Sequence, residues 1–399
     1  MRLPDMFLAG SAGIYVLAVL LASSQPGLSR VVHLSVAMML LALLWKAAKS
    51  RVSLNADPLP WLFWVFFLFT FASILWSSQT MPATVRSVSL LFDVLGATLV
   101  WIALFNGLSL KWIAACAGVG AAVQAGVALF QFWTGSLERV EGLGGNSNEL
   151  AIQLSLTAFL LLMVWRRSFL VGAAALSLIV IATVTSGSRK MVFVWLTYLL
   201  LLSRWLTMGV KRSTLIAAVA LLMVPASVLV LINTRETWLA PIENLTVYQR
   251  LDRAIAGEDS SANLRGNLIE DAFEQWSYSP LWGHGVDQFR WLNPYRVYSH
   301  NNFTEVLANL GIVGLILFYS IHVNLLWRTT SQARAGSGRS WLVLAFVLML
   351  LMMDLARVSY TDRYTWLLLS VVGFICHREG QSVAREEPLT GGARVTSPI

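Results

Sequence analysis

Charge is scarce in this sequence. Only 13% of its 399 residues are Asp, Glu, Lys or Arg, about half the share carried by a soluble globular domain. Too few charges remain to cover a water-exposed surface. The basic balance, 29 Lys and Arg against 21 Asp and Glu, therefore does not describe a soluble nucleic-acid-binding protein. Cysteine is nearly absent. Cys116 and Cys376 lie in apolar runs, so no disulfide, cysteine zinc site or thiol nucleophile is expected. There is no Gly-x-x-x-x-Gly-Lys phosphate loop, no His-Glu-x-x-His helix and no Asp-x-Asp pair at the outer face. No metal or cofactor site is expected, and neither internal repeats nor low-complexity blocks occur.

Apolar sequence fills the space that charge leaves. Hydrophobic residues make up 57% of the chain, and its mean hydropathy is +0.66. A run of about 20 apolar residues crosses a bilayer core. By that measure the chain holds about twelve spans, near 6–22, 31–47, 59–76, 88–105, 112–133, 148–164, 168–185, 191–206, 213–232, 303–327, 340–356 and 364–377. The first is read as a retained helix rather than a cleaved signal peptide, because its apolar core outruns a usual signal core. The expected fold is an all-α integral membrane protein. Residues 1–232 form transmembrane helices one to nine, 233–302 an outer loop with helical segments, 303–377 helices ten to twelve, and 378–399 a polar, disordered tail.

An even number of spans puts both termini on one side. With that side inside, the short inner segments collect most of the Lys and Arg, including Lys46, Lys49, Arg166, Arg167, Lys211, Arg212, Arg328 and Arg334. The positive-inside rule then makes the termini cytoplasmic. Many of the 17 Trp residues fall near span ends, as an interfacial belt requires.

Polar residues gather at the outer starts of three spans. Gly145-Asn146-Ser147-Asn148-Glu149, Ser186-Gly187-Ser188-Arg189-Lys190 and Tyr298-Ser299-His300-Asn301-Asn302 each open a helix there. Free N–H groups at helix N-termini favour anions, and an Arg fork holds phosphate oxygens bidentately. Taken singly, each motif reads as an ordinary cap; together they suggest one anion site. Arg139 and Arg265 are further cationic candidates. Asn301, Glu305 and Asn309 form a polar stripe along span ten, and a carboxylate there either serves the site or partners an Arg or Asn. Asp93 in span four is isolated. Histidine ordinarily titrates near neutrality, as proton transfer from a hydroxyl needs, which makes His300 a candidate for that role. His284 lies in a Gly-Pro turn, whereas His33, His322 and His377 read as packing or interfacial residues.

The run from Arg265 through Pro280-Leu281-Trp282-Gly283-His284-Gly285, His300-Asn301-Asn302-Phe303 and Leu310-Gly311-Ile312-Val313-Gly314-Leu315 resembles the signature region of the O-antigen ligase and polymerase superfamily. Arg139-Val140-Glu141-Gly142 with Asn146-Ser147-Asn148-Glu149-Leu150-Ala151, and Ser186-Gly187-Ser188-Arg189, resemble its earlier motifs. The resemblance spans essentially the whole chain. The length, without a large added soluble domain, is similar to the lipopolysaccharide ligase branch.

The resemblance implies a C-type glycosyltransferase fold in a bacterial inner membrane, multi-pass, with a periplasmic active site. It implies metal-independent, inverting transfer of O-antigen glycan from undecaprenyl diphosphate to a sugar hydroxyl of lipid A–core. In that resemblance His300 takes the catalytic place and Arg189 and Arg265, with Arg139 as a looser match, the diphosphate; the polar motifs themselves add Asn301, Glu305 and Asn148 as supporting residues. The partners implied are the lipid-linked donor, the lipid A–core acceptor and membrane lipids, with no nucleic acid. His284 departs from the family pattern, which often has a small or apolar residue there. An O-antigen polymerase uses the same donor and is the nearest alternative, and a protein oligosaccharyltransferase would carry a soluble extension. A polyprenyl-glycan transporter predicts repeats and midplane polar groups instead.

Overall fold

A computed structural model describes residues 3–22, 29–54, 57–134, 140–143, 146–165, 168–186, 191, 194, 195, 197, 260–335 and 337–386. Among the described residues all regular structure is helical. The helices are α1 (Leu3–Ala22), α2 (Ser29–Lys49), α3 (Pro58–Ala72), α4 (Thr80–Phe105), α5 (Leu110–Thr134), α6 (Ser147–Val164), α7 (Phe169–Ser186), α8 (Ser260–Tyr278), the short α9 (Phe289–Leu292), α10 (Asn302–Arg334), α11 (Gly338–Asp354) and α12 (Arg363–Glu386). A 3-10 turn, Ser73–Trp76, extends α3.

Among the described residues seven helices, α1 to α6 and α10, are long and apolar enough to cross a membrane, and the chain is a multi-pass membrane protein. α7 holds a shorter apolar stretch, Leu170–Thr183. α11 and α12 occupy the eleventh and twelfth expected spans. The eighth and ninth, 191–206 and 213–232, lie almost wholly outside the described residues, as does the loop as far as residue 259.

Helix starts follow the caps that the sequence offers. Asp57 accepts from the Leu59 N–H ahead of α3, with Pro58 at its first position. Asn146 accepts from Asn148 and Glu149 at the start of α6, and Asn301 from Phe303 and Thr304 at the start of α10. Small residues then let helices approach. A Cβ on Gly120 of α5 would sit 2.9 Å from Leu20 of α1, and one on Gly96 of α4 2.4 Å from the Tyr15 hydroxyl. α1 packs on α2 and α5, α4 on α12, and α10 on α3, α8 and α11.

Two ends of the bundle differ in chemistry. At the end where α3 begins, Arg328 of α10 grips Asp57 at 3.0 and 2.5 Å, and His377 Nδ1 of α12 lies 2.9 Å from the same carboxylate. Nearby, Arg339 and Ser337 hold Glu379 at 2.7 and 2.8 Å. These contacts carry α12 in helical form to Glu386, past residue 378 where a disordered tail was expected. The other end, where α4, α10 and α12 begin, carries the Tyr298-Ser299-His300-Asn301-Asn302 motif.

Candidate functional site

α10 is broken. Gly311 has φ 65° and ψ −167° inside an otherwise continuous helix, which interrupts the i to i−4 ladder and frees backbone groups on both sides. The segment 279–288 supplies their partners. The N–H groups of His284 and Gly285 donate to the carbonyls of Ala308 and Asn309, at 3.1 and 2.7 Å. The N–H groups of Ile312 and Val313 donate to the carbonyls of Pro280 and Leu281, at 2.9 and 3.3 Å. Backbone therefore meets backbone. A Cβ on Gly283 would come within 2.4 Å of Asn309, and one on Gly311 within 2.3 Å of Leu281. Gly283 also has φ 64°, so both positions need glycine for space and for conformation.

The same segment is fastened to the α3–α4 turn. Gln288 accepts from Ser78 Oγ and from the Gln79 N–H, at 2.9 and 2.8 Å, and donates to the Gln79 carbonyl at 3.1 Å. The Val286 N–H donates to Ser73 Oγ at 2.9 Å. Asn309 closes the knot, with Oδ1 accepting from the N–H groups of Gln288 and Phe289 at 2.9 and 2.7 Å.

His300 stands one residue before the cap of α10, half-buried, at φ 56°. Non-glycine residues rarely hold that left-handed backbone, and such outliers cluster at functional sites. Among the described residues the others are Asp287 and Arg296, in the same short stretch. Glu305 holds the turn from below. Its Oε2 accepts from the Ser299 N–H at 2.7 Å and its Oε1 from Asn309 Nδ2 at 3.1 Å. Ser299 Oγ donates to the Asn301 carbonyl at 2.7 Å. The Tyr298 ring meets the His300 ring edge-on, with centroids 6.2 Å apart.

Charge surrounds this turn. Asp287 is buried, 2.6 Å from Arg290 and 3.6 Å from Arg86 of α4. Burial pushes its carboxyl above the ordinary range, against the opposing pull of Arg86 and Arg290. Asp93 is not isolated but lies 3.3 Å from Arg363 of α12. Asn302 accepts from the N–H groups of Ser359 and Tyr360 at 2.8 and 3.0 Å and donates to the Tyr319 hydroxyl at 2.9 Å. The start of α10 is thereby tied to the α11–α12 turn.

His300, Asn301, Glu305 and Asn309 are thus brought into one cluster, with the segment 279–288 against it. Asn301 works as a helix cap, and Glu305 as the acceptor for Ser299 and Asn309, the partner role already considered for it. Arg265 lies half-buried on α8, which packs on α10 through Leu268, Ala272, Phe289 and Ala308. Asn148 sits in the first turn of α6. Arg139 and Arg189 lie outside the described residues. His284 is engaged by its fold, with Nε2 2.8 Å from the Gln275 carbonyl. Arg86, Asp287 and Arg290 went unnoticed in sequence. Their pairing joins α4 to a segment some 200 residues later, and no local periodicity marks such a contact.

Residues 172–319 match the family model described as O-antigen ligase. The match takes in α7, α8, the segment 279–301 and the first part of α10, and it bears out the family resemblance read from the motifs. No curated protein matches the chain.

Proposed function

We propose that this O-antigen ligase family protein transfers a glycan from undecaprenyl diphosphate to a sugar hydroxyl of lipid A–core at the periplasmic face of the bacterial inner membrane. The observation that carries the reading is His300, held in a left-handed backbone at the start of α10 by the Ser299–Glu305 contact. In this reading the acceptor oxygen attacks the anomeric carbon from the face opposite the diphosphate, inverting it. The glycosyl–oxygen bond to phosphate breaks, the diphosphate leaves with the electron pair, and the hydroxyl proton passes to the imidazole of His300. Arg189 and Arg265, with Arg139 and the nearby helix N-termini, stabilise the charge growing on the diphosphate. Asn301, Glu305 and Asn148 shape the surrounding backbone. Transfer needs no metal, because fixed guanidinium charges take the electrophilic role. The polyprenyl chain lies between helices, and the acceptor enters beneath the outer loop.

Reconstitution tests this. Purified protein receives polyprenyl-diphosphate glycan with lipid A–core in one tube and free glycan acceptor in another. Product on lipid A–core is expected. Chain extension alone would make the protein a polymerase, and the absence of polyprenyl diphosphate release from both tubes would overturn glycosyl transfer. His300→Ala is expected to lower turnover by about 100-fold or more in normally folded protein. Arg265→Ala is expected to weaken donor saturation, and unchanged donor kinetics would remove Arg265 from the diphosphate site.

A further inference from the structure

The segment that leads into His300 carries a surface that the chemistry above does not use. Trp291 is 37% exposed, and two guanidinium groups flank its ring, Arg290 at 5.3 Å and Arg296 at 5.6 Å from the centroid. Tyr295 and Tyr298 of the same segment are also exposed. The plate is rigid. Phe289 anchors it in the apolar contact between α8 and α10. Asn293 staples its turn, donating to the carbonyls of Phe289 and Val297 at 2.8 and 2.7 Å and accepting from the Tyr295 N–H at 3.0 Å.

The two cations differ. Arg290 shares its charge with Asp287 at 2.6 Å. Arg296 has no carboxylate partner among the described residues, and its φ of 58° holds it in a costly backbone conformation. A cation with no carboxylate partner among the described residues, set on an exposed aromatic face, calls for a ligand with an apolar side and a negative group. A pyranose ring has that apolar side in its axial C–H bonds, and phosphate supplies the charge that an Arg fork holds best.

We propose that residues 289–298 are the docking surface for a phosphorylated saccharide acceptor, which stacks on Trp291 and places its phosphate on Arg296. The proposal rests on the glycosyl-transfer reading for the word acceptor, and on local geometry for the ligand. Tyr298 follows Arg296 by two residues, and its ring meets that of His300 edge-on with centroids 6.2 Å apart, which sets the plate on the chain segment that leads into His300. A membrane surface is the less suited occupant. The aromatic set that continues a transmembrane helix is a different one, Phe69, Trp76 and Trp282 with the exposed Leu75 at the end of α3.

The test measures binding by full-length protein in phosphatidylcholine nanodiscs. The probes are fluorescent phosphorylated core oligosaccharide, the same oligosaccharide after phosphatase treatment, and phosphatidylglycerol vesicles. Trp291→Ala and Arg296→Gln should each weaken the phosphorylated probe by about tenfold, Trp291→Phe should largely restore it, and phosphatase treatment should reproduce the Arg296→Gln loss. Equal binding by wild type and both variants overturns the proposal. So does undiminished binding of the dephosphorylated probe, or a loss confined to vesicles. In transfer assays the variants should raise acceptor KM and leave kcat nearly unchanged. A wild type that binds the probe but transfers nothing overturns the reaction and leaves the ligand surface standing. Transfer with unchanged acceptor KM in Trp291→Ala does the reverse.

Discussion

Asn309 accepts from Gln288 and Phe289 and donates to Glu305 and the Tyr360 hydroxyl, so all its capacity is committed within buried protein. Removing it strands two buried backbone donors and one carboxylate oxygen. Asn309→Ala is expected to destabilise the protein by about 2–4 kcal/mol, seen as a lowered thermal midpoint in detergent. Glu305→Gln is a subtler probe. Its amide oxygen can still accept from Ser299, but its NH2 then faces the Asn309 NH2, and Asn309 cannot flip without abandoning Gln288 and Phe289. The expected result is a loss of about 1–2 kcal/mol and a turnover defect from the loosened His300 turn. An unchanged midpoint and unchanged turnover would show that this hydrogen bond does not position the turn. The sequence marked Asn301, Glu305 and Asn309 as a stripe because helical spacing is a local property. Their partners Ser299, Gln288 and Tyr360 come from separate segments, and only folding brings these together.

At the scale of elements, the unit beside His300 is a pair, the broken α10 and the segment 279–288. Gly311→Ala places a Cβ against the Leu281 backbone in a left-handed conformation. The expected cost is about 2 kcal/mol or more, with proteolytic cutting in 279–288 as the local readout. Wild-type resistance to cutting in the variant would mean that the break does not depend on glycine. Helices α1 to α6 and α10 were readable in advance because each is an apolar run bounded by polar caps. The glycine motifs were recognisable as a family signature, yet their physical role was not. A run such as Pro280-Leu281-Trp282-Gly283 does not say which carbonyls its backbone will meet.

Across the whole molecule, the knot at Asp57 joins α3, α10 and α12 at the end opposite His300. Burial alone would raise the Asp57 carboxyl, but hydrogen bonds from Arg328, the Leu59 N–H and His377 outweigh it and hold the carboxyl below its ordinary range. A depressed carboxyl contributes stability above its unfolded value of about 3.9, and that stability is lost as pH falls through the lower folded value. Wild-type thermal midpoints should therefore drop as the pH is lowered below about 4. Asp57→Asn should start lower at neutral pH and show a shallower acid decline. Parallel acid declines in the two proteins would exclude Asp57 as the titrating group.

The interruption at Gly311 has a mechanical consequence. A continuous rod would carry axial load from His300 straight to Arg328 and the Asp57 knot. α10 instead behaves as two struts meeting at a joint, with the upper strut braced sideways through 279–288 onto Ser73, Ser78 and Gln79. A push on the upper strut would then be shared sideways with the α3–α4 turn instead of passing straight down to the Asp57 knot.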